Sequence, residues 1–296
     1  MNGDNAIIEM HKVSKRFGHI KALDNVDLEI CPGRIIGLVG ANGSGKSTLL
    51  RHMIGLYLAD EGQCVTFGCD AAKLGPKELG RIGYVHQEGE LLGWMKTRQL
   101  IRYVSAYYPT WNRELEEQYI ADFDISTKAR VGSLSPGQRQ KLAILLAVCF
   151  EPEFLILDEP ASALDPIARG QFLDLLLKII QDEKRTIIIS SHILSDVEKV
   201  IDHLLIMKKG TLLRDCSFDD LREEYCRVKL TLLSGSLPAT LPFGPMVDCV
   251  REGGSAIITL QNYTREEIED KAKAMNCEAE VQALTLEDIY RIVVGE

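Results

Sequence analysis

The chain has 296 residues, 26% of them charged and 46% hydrophobic, which is long enough for a large core and one accessory unit. A formal net charge of −9 argues against broad electrostatic binding of nucleic acid, which needs basic surface. No apolar run is long enough to span a bilayer, and the opening MNGDNAIIEMHK lacks the basic-then-apolar order of a secretory signal. Of the eight cysteines, the closest pair is Cys64 and Cys69. It has no second pair and no His partner at metal-ligand spacing, so the cysteines read as small hydrophobes in a reducing compartment.

In chain order, residues 7–13 and 26–30 read as short alternating strands. RIIGLVG (34–40) is a continuous apolar run ending in Gly, as suits a buried central strand. It runs into ANGSGKST and the helix-period LLRHMIGL, and GQCVTFG (62–68) follows as a short strand. From about Glu90 to Phe150 the pattern is helical, with TRQLIRYVSAYY, RELEEQYIADFD and RQKLAILLAVCF as its segments. This reads as a helical insertion between two strands. FLILDEP (154–160) and TIIISSH (186–192) are buried strands, 167–183 and 193–200 helices, and HLLIMKKGTLLRDC a hairpin turning at Gly210. Beyond Asp219, strands at 227–233, 247–252 and 256–260 and helices TREEIEDKAKAM and TLEDIYRIVV suggest a small α+β unit, with Pro238, Pro242 and Pro245 in the loop between.

Two stretches seek phosphate. GANGSGKST satisfies the P-loop pattern G-x4-G-K-[ST], with a strand before it and a helix after it. Gly40, Gly43 and Gly45 let the backbone turn its N–H groups around an anion, with Asn42 and Ser44 in the same loop. Lys46 offers a point charge to the β- and γ-phosphates, Ser47 a hydroxyl to Mg²⁺ and Thr48 a hydroxyl to the α-phosphate. The second stretch is LSPGQRQK. Its Ser135 and Gly137 stand just before an apolar helix, whose first N–H groups lack internal partners.

Acids follow. Asp158 and Glu159 end a buried strand, where parallel sheets bind ligands. Strand alternation sends them to opposite faces, so their jobs differ: Asp158 is suited to Mg²⁺ and Glu159 to deprotonating an attacking water. His192, after TIIISS, is placed to sense a γ-phosphate, and Gln87 in YVHQEGEL to contact Mg²⁺ and the lytic water.

In order and spacing, the P-loop, Gln87, LSPGQ, LILDEP, SALD and His192 resemble the nucleotide-binding subunit of ATP-binding-cassette (ABC) transporters, over roughly residues 6–220. The resemblance implies an α/β P-loop NTPase cassette at 1–221. Its mixed sheet core carries an antiparallel β subdomain and a helical insertion (about 89–150), and a small C-terminal α+β domain occupies 222–296. It implies ATP and Mg²⁺ as ligands, and a second cassette subunit docked head to tail. Ser135 and Gly137 would then cap the partner's γ-phosphate, with Gln138 nearby and Asp165 crossing the same interface. Phe17 in KRFGHIKAL matches the aromatic that stacks on adenine. The family signature is usually Leu-Ser-Gly-Gly-Gln, and Pro136 here replaces its first Gly with a residue that has no N–H.

By the same resemblance, the insertion meets an integral membrane permease, with Leu91, Leu92, Trp94 and Met95 as its docking groove. That places the chain peripherally on the cytoplasmic face of the membrane. LTLEDIYRIVVGE and YYPTW look like bacterial ABC-2 exporters of the multidrug type. The alternatives are a nutrient importer, which shares every catalytic motif, and cassette proteins acting on ribosomes or DNA. Ribosome-acting cassettes usually carry two P-loops and a charged linker, and DNA-acting ones carry long coiled coils. Neither feature is present here, and no nucleic acid partner is expected.

Overall fold

The structure, a computed structural model, describes residues 6–87, 91–180, 185–234, 237–238 and 240–295. Glu90, where the insertion was expected to begin, and 181–183, the end of the helix expected at 167–183, lie outside them. The chain divides into two compact units between Asp215 and Cys216.

The first unit opens with the long antiparallel pair β1 (Ile8–Phe17) and β2 (Ile20–Ile30), then the parallel-sheet strand β3 (Ile35–Val39) and helix α1 (Lys46–Met53). β4 (Glu61–Thr66), β5 (Cys69–Asp70), the short helix α2 (Pro76–Leu79) and β6 (Ile82–Val85) follow. Helices α3 (Thr97–Ser105), α4 (Arg113–Asp122) and α5 (Pro136–Val148) then separate β6 from β7 (Phe154–Asp158), which is the helical insertion expected there. The unit continues through α6 (Pro166–Ile180), β8 (Thr186–Ser191), α7 (Leu194–Val197), β9 (His203–Lys208) and β10 (Thr211–Ser217).

The strands form two sheets. One is antiparallel, in the order β2-β1-β4-β5. The other runs β10-β9-β3-β8-β7-β6 and is parallel from β9 to β6. Every residue of β3, β7 and β8 is buried, as in a sheet covered on both faces, and each strand has an apolar run at its centre. Helix α1 is the hub. Leu49, Leu50 and Met53 share one core with Met10, Leu23 and Leu28 of the antiparallel sheet and Leu38, Ile156 and Ile188 of the parallel one. The first helical turn after the P-loop is thereby fixed to both sheets.

The second unit holds α8 (Phe218–Glu224), β11 (Tyr225–Leu232), β12 (Asp248–Glu252), β13 (Ser255–Gln261), α9 (Arg265–Ala274), β14 (Cys277–Ala283) and α10 (Leu286–Val294). Its four-stranded antiparallel sheet has the order β12-β13-β11-β14. The boundary falls before the 221/222 of the sequence reading, because α8 is tied to this sheet. The Glu224 carbonyl accepts from Asn262 N at 2.8 Å and its carboxylate from Gln261 Nε2 at 2.6 Å. Strand β14, CEAEVQA, had no counterpart in the sequence reading. Its charges sit at exposed alternate positions of an edge strand, where they are tolerated, and Val281 faces Val228. Both helices of this unit that the sequence suggested are present, each opened by a Thr capping box, from Thr264 and Thr285.

Candidate active site

Strand β3 delivers the chain into the P-loop, and backbone contacts from three directions hold the loop. Gly45 has φ +110°, and a Cβ there would lie 2.5 Å from the Ala22 carbonyl oxygen, so no larger residue fits. The Ser44 amide donates to Ala41 O at 3.0 Å. The Ser44 carbonyl accepts from Gly210 N at 2.8 Å, and Gly210 O accepts from Asp24 N at 2.8 Å. Gly210 and Lys209, both at positive φ, form the tight turn between β9 and β10, as the sequence reading expected. The i−4 ladder of α1 begins with Leu49 N donating to Gly45 O at 2.8 Å, so the amides of Lys46, Ser47 and Thr48 precede it at an anion-attracting helix start.

Lys46 is buried, with its ammonium donating to Gly40 O at 2.8 Å and Ala41 O at 3.4 Å. It also stands 3.6 Å from Glu159 Oε1. Asp158 is fully buried at the end of β7. Its Oδ1 accepts from Ser47 Oγ at 3.0 Å and from Ser190 Oγ at 2.8 Å, while Oδ2 is buried without a hydrogen-bond partner among the described residues.

Asp158 and Glu159 do not alternate to opposite faces of one strand, as the sequence suggested. β7 stops at Asp158, and Glu159 leaves it in the left-handed region at φ +48°. Its amide donates to Ser190 Oγ at 2.9 Å. Both carboxylates consequently reach the start of α1, Asp158 at Ser47 and Glu159 at Lys46. The other Glu159 oxygen, Oε2, lies 2.5 Å from Nδ1 of His192, whose side chain is 47% exposed.

A cleft of about 380 Å³ lies over this arrangement. The loop from Asn42 to Thr48 forms one side, Gln87 and Glu159 another, and Ile20 and Ala22 an apolar wall. Phe17 pairs with Ile20 across the β1–β2 hairpin, is 43% exposed and meets the Tyr57 ring edge-on at 5.2 Å. The sequence reading missed Ile20, Ala22 and Ser190. Ile20 had one legible signal, an apolar residue two positions after a turn glycine, Gly18; Ser190 had only its place in a strand end rich in serine.

Ser135, Gly137, Gln138 and Asp165 do not line this cleft. They assemble elsewhere on the first unit. Ser135 caps α5 in a reciprocal box: its Oγ accepts from Gln138 N at 3.2 Å, and its amide donates to Gln138 Oε1 at 3.0 Å. Pro136 occupies the first helical position and has no amide. The box and the proline leave the Gly137 amide as the donor of this turn not already engaged in capping. A Cβ on Gly137 would meet the Ala163 carbonyl at 2.9 Å, so the SALD segment runs directly against this turn. Asp165 caps its own helix α6, accepting from the amides of Ala168 at 2.9 Å and Ile167 at 3.0 Å. Those bonds hold its carboxyl below the usual range, Ala168 contributing most.

The insertion carries an apolar groove of about 340 Å³, lined by Tyr84, His86, Leu91, Val104, Tyr108 and Phe150 among others. Leu91 belongs to it. Leu92 and Trp94 are exposed, Trp94 at 70%, and Met95 is half-buried. Among the described residues, no helix is long and apolar enough to cross a membrane.

The parallel sheet, the strand-to-helix loop and the acid-ended strand β7, separated from β3 by β8, together define a P-loop nucleoside triphosphatase. A family profile described as ABC transporter matches residues 23–162. The bacitracin transport ATP-binding protein BcrA of Bacillus licheniformis is 34% identical over 219 residues, 73% of this chain and 72% of that protein. The sulfate/thiosulfate import ATP-binding protein CysA of Synechocystis is 32% identical, over 69% of this chain and 59% of its own length. Among solved structures, the dimeric ATP-binding cassette MJ0796 in a post-hydrolysis state with ADP and Pi superposes with a TM-score of 0.63 at 24% identity, over 71% of this chain and 98% of that one. The chain belongs to the ATP-binding proteins of ABC transporters. It is an ATP-binding subunit with ATPase activity that serves transport.

Proposed function

We propose that this subunit hydrolyses ATP in a head-to-tail cassette dimer and drives a separate integral membrane permease, most closely an exporter. The observation that carries the reading is the convergence of Lys46, Ser47, Gln87 and Glu159 around one cleft, with Asp158 buried behind it and bonded to Ser47. The phosphates lie along the loop from Gly40 through Asn42, Gly43, Ser44 and Gly45. There the α1 amides and Lys46 bind them, and Thr48 adds a hydroxyl. The adenine rests on Phe17 beside Ile20 and Ala22.

The unpartnered Asp158 Oδ2, buried beside the Ser47 hydroxyl, fits a hard divalent cation. Ser47, Asp158 and Gln87 would hold Mg²⁺, which supplies charge neutralisation on the β- and γ-phosphates when bound. Glu159 takes the proton of the attacking water, Gln87 positions that water, and His192 orients Glu159 through Nδ1 and reports the γ-phosphate.

Ser135 and Gly137 lie away from the cleft, which supports their acting on the ATP held by a partner cassette. The Ser135 hydroxyl accepts within the capping box, yet its own proton stays available to a phosphate oxygen. Gln138 keeps the box closed, and Asp165 stiffens the adjoining segment at the interface. The amide that a glycine at 136 would add lies at a position where a helix needs none, so Pro136→Gly should leave steady-state phosphate release within a few-fold of wild type. A change of two orders of magnitude would show that position 136 governs capping.

The groove that Leu91 lines, with Leu92, Trp94 and Met95 following it in sequence and the first two exposed, suits an apolar helix of the permease. The chain would then sit peripherally on the cytoplasmic face, and residues 222–296 would be an accessory domain. Export is favoured over import because the alignment spans 72% of BcrA but 59% of the longer CysA. Leu91→Glu should abolish co-purification with the membrane chain that wild type retains, while the purified variant still binds ATP. Unchanged co-purification would move the docking surface elsewhere. ATP-dependent transport by that pair in inverted vesicles, read for uptake or release, tests the direction.

A further inference from the structure

Gln87 and His86 are neighbours in sequence but open onto different spaces. Gln87 lines the nucleotide cleft, whereas His86 lines the apolar groove of the insertion. The segment is short, follows the end of β6 at Val85, and needs something to fix it. Arg51 does this from the far side. Its Nη2 lies 2.6 Å from His86 Nε2, and its Nη1 donates to Tyr57 Oη at 2.7 Å. A guanidinium only donates, so His86 accepts through Nε2 and carries its proton on Nδ1. The Arg51 carbonyl accepts from the amides of Leu56 at 2.9 Å and Tyr57 at 3.2 Å, so Tyr57 is held by both backbone and side chain. Arg51 also lies one helical turn beyond Ser47 on the same face of α1, at the i, i+4 spacing.

We propose that Arg51 is a positioning residue that sets Gln87 relative to Ser47 by clamping His86 to helix α1. One rigid helix then carries the Ser47 hydroxyl at its first turn and the grip on the Gln87 segment at its last. The planar fork reaches Tyr57 and His86 through two separate nitrogens, whereas a lysine would have to serve both from a single one. Because His86 also lines the groove, a partner seated there would act on Gln87 through this clamp. The inference rests on the reading of Gln87 as a contact to the Mg²⁺–ATP complex.

The test is the factor by which Mg²⁺ tightens ATP binding, from fluorescent-ATP titrations in EDTA and in saturating Mg²⁺. It is measured for wild type, Gln87→Ala, Arg51→Met and the double variant, with the melting temperature of each. Gln87→Ala should lower that factor by about fivefold, Arg51→Met by a similar amount, and the double variant no further, as expected of coupled neighbours. Arg51→Lys should restore part of the loss. His86→Phe, which keeps a ring but removes the acceptor, should reproduce Arg51→Met and serves if that variant does not fold. Additive losses, or an unchanged Mg²⁺ factor in Arg51→Met and His86→Phe with Gln87→Ala reduced, would overturn the clamp alone. An unchanged factor in Gln87→Ala would instead overturn the reading of Gln87 on which it rests. A purely structural Arg51 would lower the melting temperature and leave the Mg²⁺ factor intact.

Discussion

Glu159→Gln will lower ATP turnover by about 10²–10⁴-fold, the range lost with a positioned general base, while ATP affinity stays within a few-fold. The amide is the same size as the carboxylate and keeps its contacts. Its oxygen can still face Lys46 and its NH2 can still bond His192, so the cleft is not reshaped. What it loses is the ability to accept a proton from water. The same variant reports assembly, because a cassette that binds ATP without hydrolysing it should accumulate in the closed state. Light scattering behind size exclusion should show a dimer with ATP–Mg²⁺ and a monomer without it. A monomer in both conditions, with ATP bound, would mean that the partner cassette is a different chain or that closure needs the permease. Normal turnover would remove Glu159 from the chemistry altogether.

Lys46→Ala acts at an earlier step. Hydrogen bonds from a charged donor contribute about 1.5–3 kcal/mol, so ATP should bind about 10–100-fold more weakly in direct titration. A second loss is local. The carbonyls of Gly40 and Ala41 forfeit their donor, and the buried Glu159 forfeits its cation at 3.6 Å. Turnover at saturating ATP should therefore fall as well, since Glu159 is no longer held. Lys46→Arg should not rescue binding, because the planar fork does not fit a space sized for a compact ammonium 6% exposed. Unchanged affinity in Lys46→Ala would mean that the loop amides alone bind the phosphates.

The two variants probe parts of the chain that the sequence revealed to different depths. The P-loop was legible because Gly40, Gly45, Lys46 and Ser47 lie within one short stretch, where local backbone demands and chemistry coincide. The buried strands β3, β7 and β8 were legible for a similar reason: burial on both faces gives each a continuous apolar run, with the polar residues Asp158, Thr186, Ser190 and Ser191 confined to strand ends. What escaped depends on distant partners. Ser190 sits 31 residues beyond Glu159 and bonds both its amide and the Asp158 carboxylate, which no local pattern encodes. The apolar wall from Ile20 and Ala22 belongs to a strand whose alternation reads only as half-buried. Strand β14 was hidden because an edge strand can carry Glu at alternate positions and lose the apolar signature. Asp158 and Glu159 depart from the opposite-faces pattern for a related reason: β7 ends between them. Alternation holds only while the strand continues, and Pro160 in LILDEP marks a turn without saying whether Glu159 still belongs to the strand.

That ending has an evolutionary side. At φ +48° Glu159 occupies backbone favoured by glycine and asparagine, at a cost on the order of 1–2 kcal/mol for other residues. The bond from its amide to Ser190 offsets part of this, and the rest is carried by the surrounding sheet. A library of this chain selected for heat resistance alone would therefore drift toward Gly or Asn at 159, gaining stability while losing turnover. Inactive cassettes that retain ATP binding are the cheap neighbours of the active one in sequence space.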